Sequence, residues 1–387
     1  MLLSFTAFVS LGLPDGLLGV VWPQVSRSFQ VPLSVLPLVQ VAMVLGFQVA
    51  SLSAYRLSRR LGIGRMLALC ALVSAASLAL QTAAPAFVFF VLVSSGLGLG
   101  GGAIDASMNA YAARHYSPSL LNWLHAFYGV GAALGPFVAS AILAAGYGWR
   151  VSLLTVAAAL SVFALFFVWR RHHWDEPEAP GGTAAADPSA RSDDPGHTAV
   201  ESKVPLREHL GLLVFLVYTG VEVSLGVWGF SYYHLGLGEP EVATASAAGM
   251  YWFGLTIGRM AFAIVLAYVP LGIILYTGLS GLALTITAMV LLPGAPALLM
   301  LPLCGLFLAP IFPLLVKATD GRVAPNLVAK IVGRQIAAAN LGSVIVPLVG
   351  GAIVAVSGAT GLLWLFVGST AVLVVAIAAI VRQPGPG

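Results

Sequence analysis

The sequence predicts an all-α membrane protein with twelve transmembrane helices arranged in two six-helix bundles. The first supporting observation is composition. Hydrophobic residues make up 59% of the 387 residues and charged residues 8%, whereas a soluble domain has about 25% charged residues. The second observation is that apolar runs of the roughly 20 residues needed to cross a bilayer recur along the chain. The third is a single long polar stretch in the middle, which divides these runs into six and six.

Twelve apolar segments, numbered below in chain order, lie between Gly, Pro and polar breakers. Their approximate bounds are 2–26, 33–55, 64–84, 86–112, 119–145, 150–170, 209–235, 242–268, 270–292, 295–317, 326–356 and 358–382. The polar stretch 172–208 is rich in Pro, Gly, Ala, Ser and Asp, a composition that cannot bury a core. We therefore expect an N-terminal bundle over 1–171, a linker over 172–208 and a C-terminal bundle over 209–387.

Two repeated spacings indicate that the halves are related by duplication. Gly131 in the fifth segment has a Pro five residues later, and Gly342 in the eleventh segment has the same neighbour at the same spacing. Asp15 in the first segment and Glu222 in the seventh are each followed four residues later by Gly. The two matches correspond to offsets of 211 and 207 residues. Internal repeats of this kind are common in secondary transporters.

The positions of Lys and Arg predict the orientation in the membrane. Of the 18 such residues, all but Arg27, Arg150 and Arg259 fall in the loops and helix ends on the side of the linker. Arg27 and Arg150 lie on the opposite side, and Arg259 lies within the eighth segment. Because loops rich in Lys and Arg stay in the cytoplasm, we expect the linker and both termini to be cytoplasmic. The expected location is the cytoplasmic membrane of a bacterium.

Three carboxylates lie within apolar segments, at Asp15, Asp105 and Glu222. A charge at the centre of a bilayer costs roughly 3 kcal/mol on insertion scales, so such residues usually line a polar pathway. A buried carboxyl group also holds its proton more tightly than an exposed one. The three acids therefore predict a path for a polar solute and for a proton.

Four strings narrow the class of protein. They are residues 98–105 followed by Asn109 in the fourth segment, 122–136 in the fifth, 220–228 in the seventh and 252–259 in the eighth. These strings resemble helices of the fucose-permease branch of sugar symporters, within the major facilitator superfamily. The resemblance covers nearly the whole chain apart from the linker. It implies a cavity acid at Asp15 and a coupling acid at Asp105, where the family commonly has the longer Glu.

The N-terminal half carries several candidate site residues. Trp22 follows Asp15 at i+7, on the same face of a continuous helix, and an aromatic ring there could stack on the apolar side of a sugar. Asn109 follows Asp105 at i+4, so these two side chains should face the same way. For Asp15 the alternative is a structural acid bonded to a neighbouring helix. For Asp105 it is a permanent salt bridge.

In the C-terminal half, Glu222 and Arg259 lie on consecutive antiparallel segments at similar depth. A buried Arg needs a partner, so the sequence predicts an ion pair, either fixed or involved in gating and substrate binding. Trp228 is a candidate for stacking on the substrate, although anchoring at the membrane interface would also explain it.

Amides and an imidazole, which can both donate and accept hydrogen bonds to hydroxyl groups, supply the remaining candidates. Asn122 and His125 share a face of the fifth segment, and Gln335 and Asn340 occupy a comparable place in the eleventh. Helix packing is the alternative for His125. Two further candidates in the second segment are Gln40 and Gln48.

The expected function is proton-coupled symport of a sugar or similar small polar metabolite. The chain has no Walker motif, so the energy would come from a gradient. The first alternative is a proton-driven efflux antiporter, which would favour an apolar cavity rich in Phe and Met. The second is a receptor or sensor on the same fold. The expected partners are the solute, H⁺ and membrane lipid, with no cofactor, metal, nucleic acid or enzymatic activity, and the chain is expected to be a monomer.

Overall fold

The computed structural model describes residues 2–116, 118–174, 206–266, 268–292, 294–320 and 325–382, and across these ranges the chain is helical apart from short turns. Eleven helices in this part of the chain are long and apolar enough to cross a membrane. The eighth segment forms a helix of similar length, Glu241–Val265. The expected all-helical membrane architecture is therefore present. Most of the predicted linker, residues 175–205, lies outside the described residues.

The helix bounds follow the predicted segments closely. In the N-terminal half the helices are Leu2–Gly12, Leu17–Phe29, Leu36–Leu61, Ile63–Thr82, Phe87–His115, Pro118–Ala144 and Trp149–Trp169. In the C-terminal half they are Leu206–Ser231, Glu241–Val265, Leu271–Leu291, Ala295–Leu298, Met300–Leu308, Ile311–Asp320, Pro325–Ser357 and Leu362–Arg382. The first and tenth segments are thus each divided into shorter helices.

The first segment is interrupted at mid-length, which the sequence did not predict. Its helix ends at Gly12 and resumes at Leu17, with a turn between them that contains Pro14 and Asp15. Pro14 has no N–H to donate to the preceding turn. Non-helical backbone at membrane depth is tolerated only where it is buried in protein or lines a cavity. The break therefore marks this part of the first segment as a candidate site.

Close packing of the first segment against the fifth holds the turn in place. A side chain at Gly16 would collide with the carbonyl oxygen of Ala132, and one at Gly12 would collide with that of Tyr128. Only glycine allows the two backbones to approach this closely, a common device in membrane helix packing. This approach brings the side chain of Tyr128 next to the turn.

The two halves are joined at one end of the bundle, which we call the far end. There, Gln24 Nε2 donates to Glu241 Oε1 at 2.9 Å, and the hydroxyl groups of Ser140 and Ser246 are 2.8 Å apart. Further close approaches between the halves involve Gly19 with Val227 and Gly351 with Ser34. One continuous hydrophobic core includes side chains of both halves.

The opposite end, called the linker end, is where the sixth segment ends and the seventh begins. The N-terminal half has a separate hydrophobic core there, made by its own segments. Residues Arg171–Trp174 form a short helical turn against this core, and the Trp174 side chain is buried. Packed structure therefore continues three residues past the expected boundary at 171. Hydrogen bonds close the bundle at the far end, whereas the core at the linker end of the N-terminal half is separate from the core that both halves share.

Candidate functional site

A cavity of about 210 Å³ lies at the level of the break in the first segment. Its polar lining side chains are Ser10, Asp15, Gln40, Ser74, Tyr128, Trp252 and Ser343. Its larger apolar lining side chains are Leu11, Pro14, Leu18, Met43, Val44, Phe47, Leu97, Ile104, Leu160, Val223 and Val227. Most of the wall belongs to the N-terminal half, and the C-terminal half contributes through its seventh, eighth and eleventh segments.

Asp15 is the carboxylate in the wall of this cavity. The hydroxyl group of Tyr128 donates a hydrogen bond of 2.8 Å to its Oδ2. Asp15 lies in the turn between Gly12 and Leu17, and its backbone N–H donates to the carbonyl of Gly12, three residues earlier, at 3.0 Å. The bond to Tyr128 fixes the carboxylate toward the cavity and stabilises its charge. Tyr128 lies on the fifth segment, so Asp15 is bonded to a neighbouring helix. This is the contact expected if Asp15 has the structural role that was its alternative.

Asp105 lies one helical turn from the cavity wall. Its neighbours Gly101 and Ile104 line the cavity, and Asp105 itself is half-buried beside it. Asn109 Nδ2 donates to Asp105 Oδ1 at 2.9 Å, which is the i, i+4 contact expected from the sequence. The amide provides one hydrogen bond to the carboxylate and no positive charge. Asp105 is therefore a second carboxylate near the cavity, held by its own helix.

Glu222 and Arg259 form the ion pair that the sequence predicts. Arg259 Nη2 lies 3.0 Å from Glu222 Oε1, and the two side chains are 25% and 13% exposed. The hydroxyl of Tyr251 donates to the backbone carbonyl of Glu222 at 2.7 Å, which ties the eighth segment to the seventh. Gly129, next to Tyr128, packs against Thr256, which lies three residues before Arg259. A line of polar groups thus extends from Asp15 across the interface between the halves.

Three of the predicted substrate contacts are not at the cavity. Trp22 is fully buried and donates through Nε1 to the carbonyl of Leu33. Trp228 is also fully buried and donates to the carbonyl of Pro347. Gln335 is bonded to Thr319 in the packing between the tenth and eleventh segments. The same-face argument for Asp15 and Trp22 assumed a continuous helix, and the break between them removes that relation.

The remaining candidates lie around the cavity or outside the described side chains. His125 is exposed toward the linker end, with its ring edge-on to Phe8 at 5.4 Å. Asn340 is half-buried and does not line the cavity, although Ser343, one turn later, does. Asn122 belongs to the helix Pro118–Ala144, and its side chain lies outside the described part of the structure.

Tyr128 and Trp252 are the two largest polar lining residues that the sequence reading missed. Tyr128 lies three residues after His125, on the same helical face, so its position was a usable signal. Trp252 begins one of the strings noted in the eighth segment, but its ring gave no indication of which face it occupies. Gln40 was considered only as one of two amides in the second segment. Among the described residues, no cluster of three His, Cys, Asp or Glu side chains is placed to hold a metal ion.

The long apolar helices, the broken first segment and the cavity between the two halves define a multi-pass membrane transporter of the secondary type. This class of fold carries out transport and not enzymatic catalysis. The chain belongs to the Major Facilitator Superfamily, whose sequence profile matches residues 3–319.

One similar protein of known sequence is "Bypass of stop codon protein 6" of Saccharomyces cerevisiae. It is 24% identical over 278 residues, which cover 67% of this chain and 55% of the yeast protein. The chain therefore spans about half the length of this relative.

Solved structures of transporters share the fold. A bacterial homologue of the human lysosomal transporter Spinster, crystallised in an inward-facing and occupied conformation, superposes with a TM-score of 0.71 at 14% identity, covering 98% of this chain and 95% of the other. The nucleoside transporter NupG also superposes with a TM-score of 0.71, at 13% identity, covering 99% of this chain and 98% of the other. At these identities the similarity shows the fold alone.

Proposed function

We propose that this protein is a proton-coupled symporter for a sugar or similar small polar metabolite, related to the fucose-permease branch of its family. The observation that carries the proposal is the Asp15 carboxylate, presented to a mid-membrane cavity by a break in the first segment and bonded to Tyr128. A carboxylate kept in such a place at a cost of several kcal/mol is expected to bind a solute or a proton.

Alternating access would move the solute. The far end is closed by Gln24, Glu241, Ser140 and Ser246, so the open side in the proposed cycle would be the linker end. In the proposed orientation the linker end faces the cytoplasm, so this conformation would release solute inward. Rocking of the two halves would close the linker end and open the far end. Each protomer contains a complete cavity, so the unit of transport would be a monomer.

Proton coupling would use two carboxyl groups in the N-terminal half. Asp105 would take up a proton while the cavity is open to the outside and release it when the cavity opens to the cytoplasm. Asp15 would contact the solute and respond to the state of Asp105, which is half-buried beside the same cavity. Glu222 is already neutralised by Arg259, so it would serve the movement between the halves.

A second function is supported by the apolar character of the cavity wall. Met43, Phe47 and the aliphatic lining side chains outnumber the polar ones, and this is the pattern expected of an antiporter for amphipathic compounds. Such a transporter would exchange protons for its substrate across the same carboxylates. The direction of coupled proton movement distinguishes the two functions.

Proton flux in weakly buffered proteoliposomes tests the proposal. Hexoses, pentoses and deoxyhexoses added outside should each be tried, and the transported one should raise the external pH, because protons enter with it. An amphipathic cation carried by antiport would lower the external pH when it enters in exchange for protons. A protonophore should abolish both signals. If a sugar binds but no solute moves in either direction, transport is contradicted and the receptor alternative is favoured.

A further inference from the structure

The fourth segment has five glycines between residues 96 and 102, and most of them are explained by helix packing. A side chain at Gly98 would collide with the carbonyl oxygen of Met43, and one at Gly102 would collide with that of Phe47. Both carbonyls belong to the second segment. The absence of a side chain at these two positions therefore allows two helix backbones to approach closely.

Two more of the five glycines pack against the third segment. A side chain at Gly96 would collide with the hydroxyl group of Ser77, and one at Gly100 would collide with the hydroxyl group of Ser74. Four of the five glycines thus have a neighbouring helix where a side chain would otherwise stand.

Gly101 is the fifth glycine, and its surroundings are different. It lines the cavity and is partly exposed, whereas Gly100 and Gly102 on either side are buried. The nearest atoms to a methyl group at position 101 would be Leu11 Cδ1 at 3.1 Å and Phe47 Cδ2 at 3.8 Å, and no backbone atom of another helix lies within 4 Å. A small shift of the Leu11 side chain would accommodate alanine, which is more favourable than glycine inside a helix. Helix packing therefore does not explain Gly101.

The space that Gly101 leaves open has an apolar wall. Leu11, Phe47 and Ile104 all line the cavity there, and the cavity also contains the Asp15 carboxylate. An apolar group gains free energy by leaving water for such a wall, whereas a hydroxyl group loses its hydrogen bonds to water. The cavity thus offers an apolar side next to Gly101 and a charged group at Asp15.

We propose that Gly101 determines specificity, because its missing side chain makes room for an apolar group of the solute between Leu11 and Phe47. This inference rests on the proposed function and specifies the shape of its substrate, a small ring with hydroxyl groups toward Asp15 and one apolar substituent toward Gly101. The cavity of about 210 Å³ is smaller than the roughly 300–1,000 Å³ of typical ligand pockets. One added methyl group is therefore expected to interfere with a solute that fills it.

The first measurement is thermal stability of the purified full-length chain. Gly101→Ala adds a methyl group at the cavity, and Gly102→Ala adds the same group at the adjacent packing position. We expect Gly101→Ala to unfold at the wild-type temperature or above it, and Gly102→Ala to unfold at a clearly lower temperature. A destabilised Gly101→Ala would show that position 101 also serves packing, and would overturn the inference.

The second measurement is binding, by titration calorimetry, of sugars that differ only at one ring carbon. D-Xylose, 6-deoxy-D-glucose and D-glucose carry hydrogen, methyl and hydroxymethyl there, and L-arabinose, 6-deoxy-D-galactose and D-galactose form a second such series. The wild type should bind the methyl compound of one series best. Gly101→Ala should weaken that binding by roughly tenfold or more, the effect of one methylene in an apolar pocket, and should weaken binding of the hydrogen compound less.

A third measurement is independent of the identity of the solute. Gly101→Cys should react with 2-aminoethyl methanethiosulfonate, a small water-soluble thiol reagent. Ala103→Cys, two residues later and buried in the core of the N-terminal half, should not react. Peptide mass mapping distinguishes these sites from the native cysteines. An unreactive Gly101→Cys would show that water does not reach position 101, and the inference would fail.

Failure of this inference is distinguishable from failure of the proposed function. Sugar binding and transport that ignore Gly101→Ala would remove Gly101 from the site and leave symport standing. Equal losses for all three members of a series would contradict a place for an apolar substituent at Gly101. Binding of tetraphenylphosphonium alone, weakened by Gly101→Ala, would support the role of Gly101 but contradict sugar symport. Absence of binding by both sugar series would contradict the substrate class of both proposals.

Discussion

Asp15 and Asp105 differ in where their hydrogen-bond partners lie. The partner of Asp15 is Tyr128 on the fifth segment, so the state of this carboxyl group is sensitive to how two segments are packed. The partner of Asp105 is Asn109 on the same helix, so its contact persists when helices move relative to one another. In the proposed mechanism, this difference is the reason for assigning solute contact to Asp15 and proton transfer to Asp105.

Replacing Asp105 with Asn should separate transport from its energy source. Asp105→Asn removes the titratable group and keeps a side chain of similar size, so solute exchange across equilibrated membranes should continue while uphill, proton-driven uptake is lost. Labelled-solute accumulation and exchange in proteoliposomes measure the two activities. Glu239→Gln, the same chemical change in a loop, should affect neither. Accumulation against a gradient by Asp105→Asn would exclude Asp105 as the coupling acid.

Glu222 and Arg259 depend on each other because both lie at membrane depth. Loss of one partner leaves an uncompensated charge, and breaking a buried pair costs about 3–5 kcal/mol. Loss of both charges removes the ion pair but leaves no uncompensated charge. The two side chains are 25% and 13% exposed, and partial exposure reduces this cost.

Arg259→Ala should accordingly be more damaging than Arg259→Ala combined with Glu222→Gln. A double-mutant cycle on thermal stability in detergent measures the coupling, which should exceed the 0.5 kcal/mol within which independent sites add. Glu222→Gln alone should also destabilise, since it leaves Arg259 unpaired. Strictly additive losses would show that the observed pair contributes nothing to stability.

At the scale of helices, most segment bounds could be predicted from the sequence, because long apolar runs between polar breakers can only be helices in a membrane. The break in the first segment could not be predicted from Pro14 alone. Pro136 and Pro347 lie within continuous helices of the same protein. The break differs from these positions in its tertiary contacts, which are the contact of Gly16 with the fifth segment and the hydrogen bond between Asp15 and Tyr128.

Two predictions from the sequence placed residues by assuming regular helices, and they had different outcomes because only one of them concerned uninterrupted helices. The depth match between Glu222 and Arg259 held because the seventh and eighth segments are regular helices through those positions. The shared face of Asp15 and Trp22 did not hold because the helix is interrupted between them. The positions of Gln40 and Trp252 in the cavity wall depend on how the two halves meet, which a single sequence does not show.

The first, sixth and eighth segments meet at the far end through one amide. Gln24 donates to Glu241 Oε1 and accepts from the backbone N–H of Trp149, both at 2.9 Å. Gln24→Leu should weaken this closure and shift the protein toward conformations open at the far end. Labelling of Ser246→Cys by a water-soluble maleimide should become faster in that background. An unchanged labelling rate would mean that the amide does not control the closure.

At the scale of the whole molecule, the two halves repeat one packing contact. Gly131 meets the carbonyl of Val9 between the fifth and first segments, and Gly342 meets the carbonyl of Leu216 between the eleventh and seventh. The offsets between equivalent residues are 211 and 207, the values found from the sequence repeat. The repeat could therefore be predicted, because glycines at backbone contacts leave a fixed spacing. The different roles of the two halves could not be predicted, because the equivalent acids Asp15 and Glu222 have different partners.

In the proposed alternating-access cycle, only one end of the molecule is open at a time. Contacts at the far end would have to separate before solute could enter from that side, and the separate core of the N-terminal half at the linker end would then have to meet the C-terminal half. A covalent bond across the far end should therefore stop transport without unfolding either half. The two native cysteines, Cys70 and Cys304, are both buried, so they interfere little with introduced thiols.

Ser140→Cys combined with Ser246→Cys places two thiols where the hydroxyl oxygens are 2.8 Å apart. Oxidation should crosslink the fifth and eighth segments, abolish solute transport and leave a third thiol at His125→Cys accessible from the linker end. Reduction should restore transport, and the single variant Ser140→Cys should be insensitive to oxidant. The accessibility of His125→Cys in inside-out and right-side-out vesicles also tests the proposed orientation, since a cytoplasmic linker end predicts fast labelling only in the former. Full transport by the crosslinked protein would mean that the far end need not open, and alternating access through this interface would be excluded.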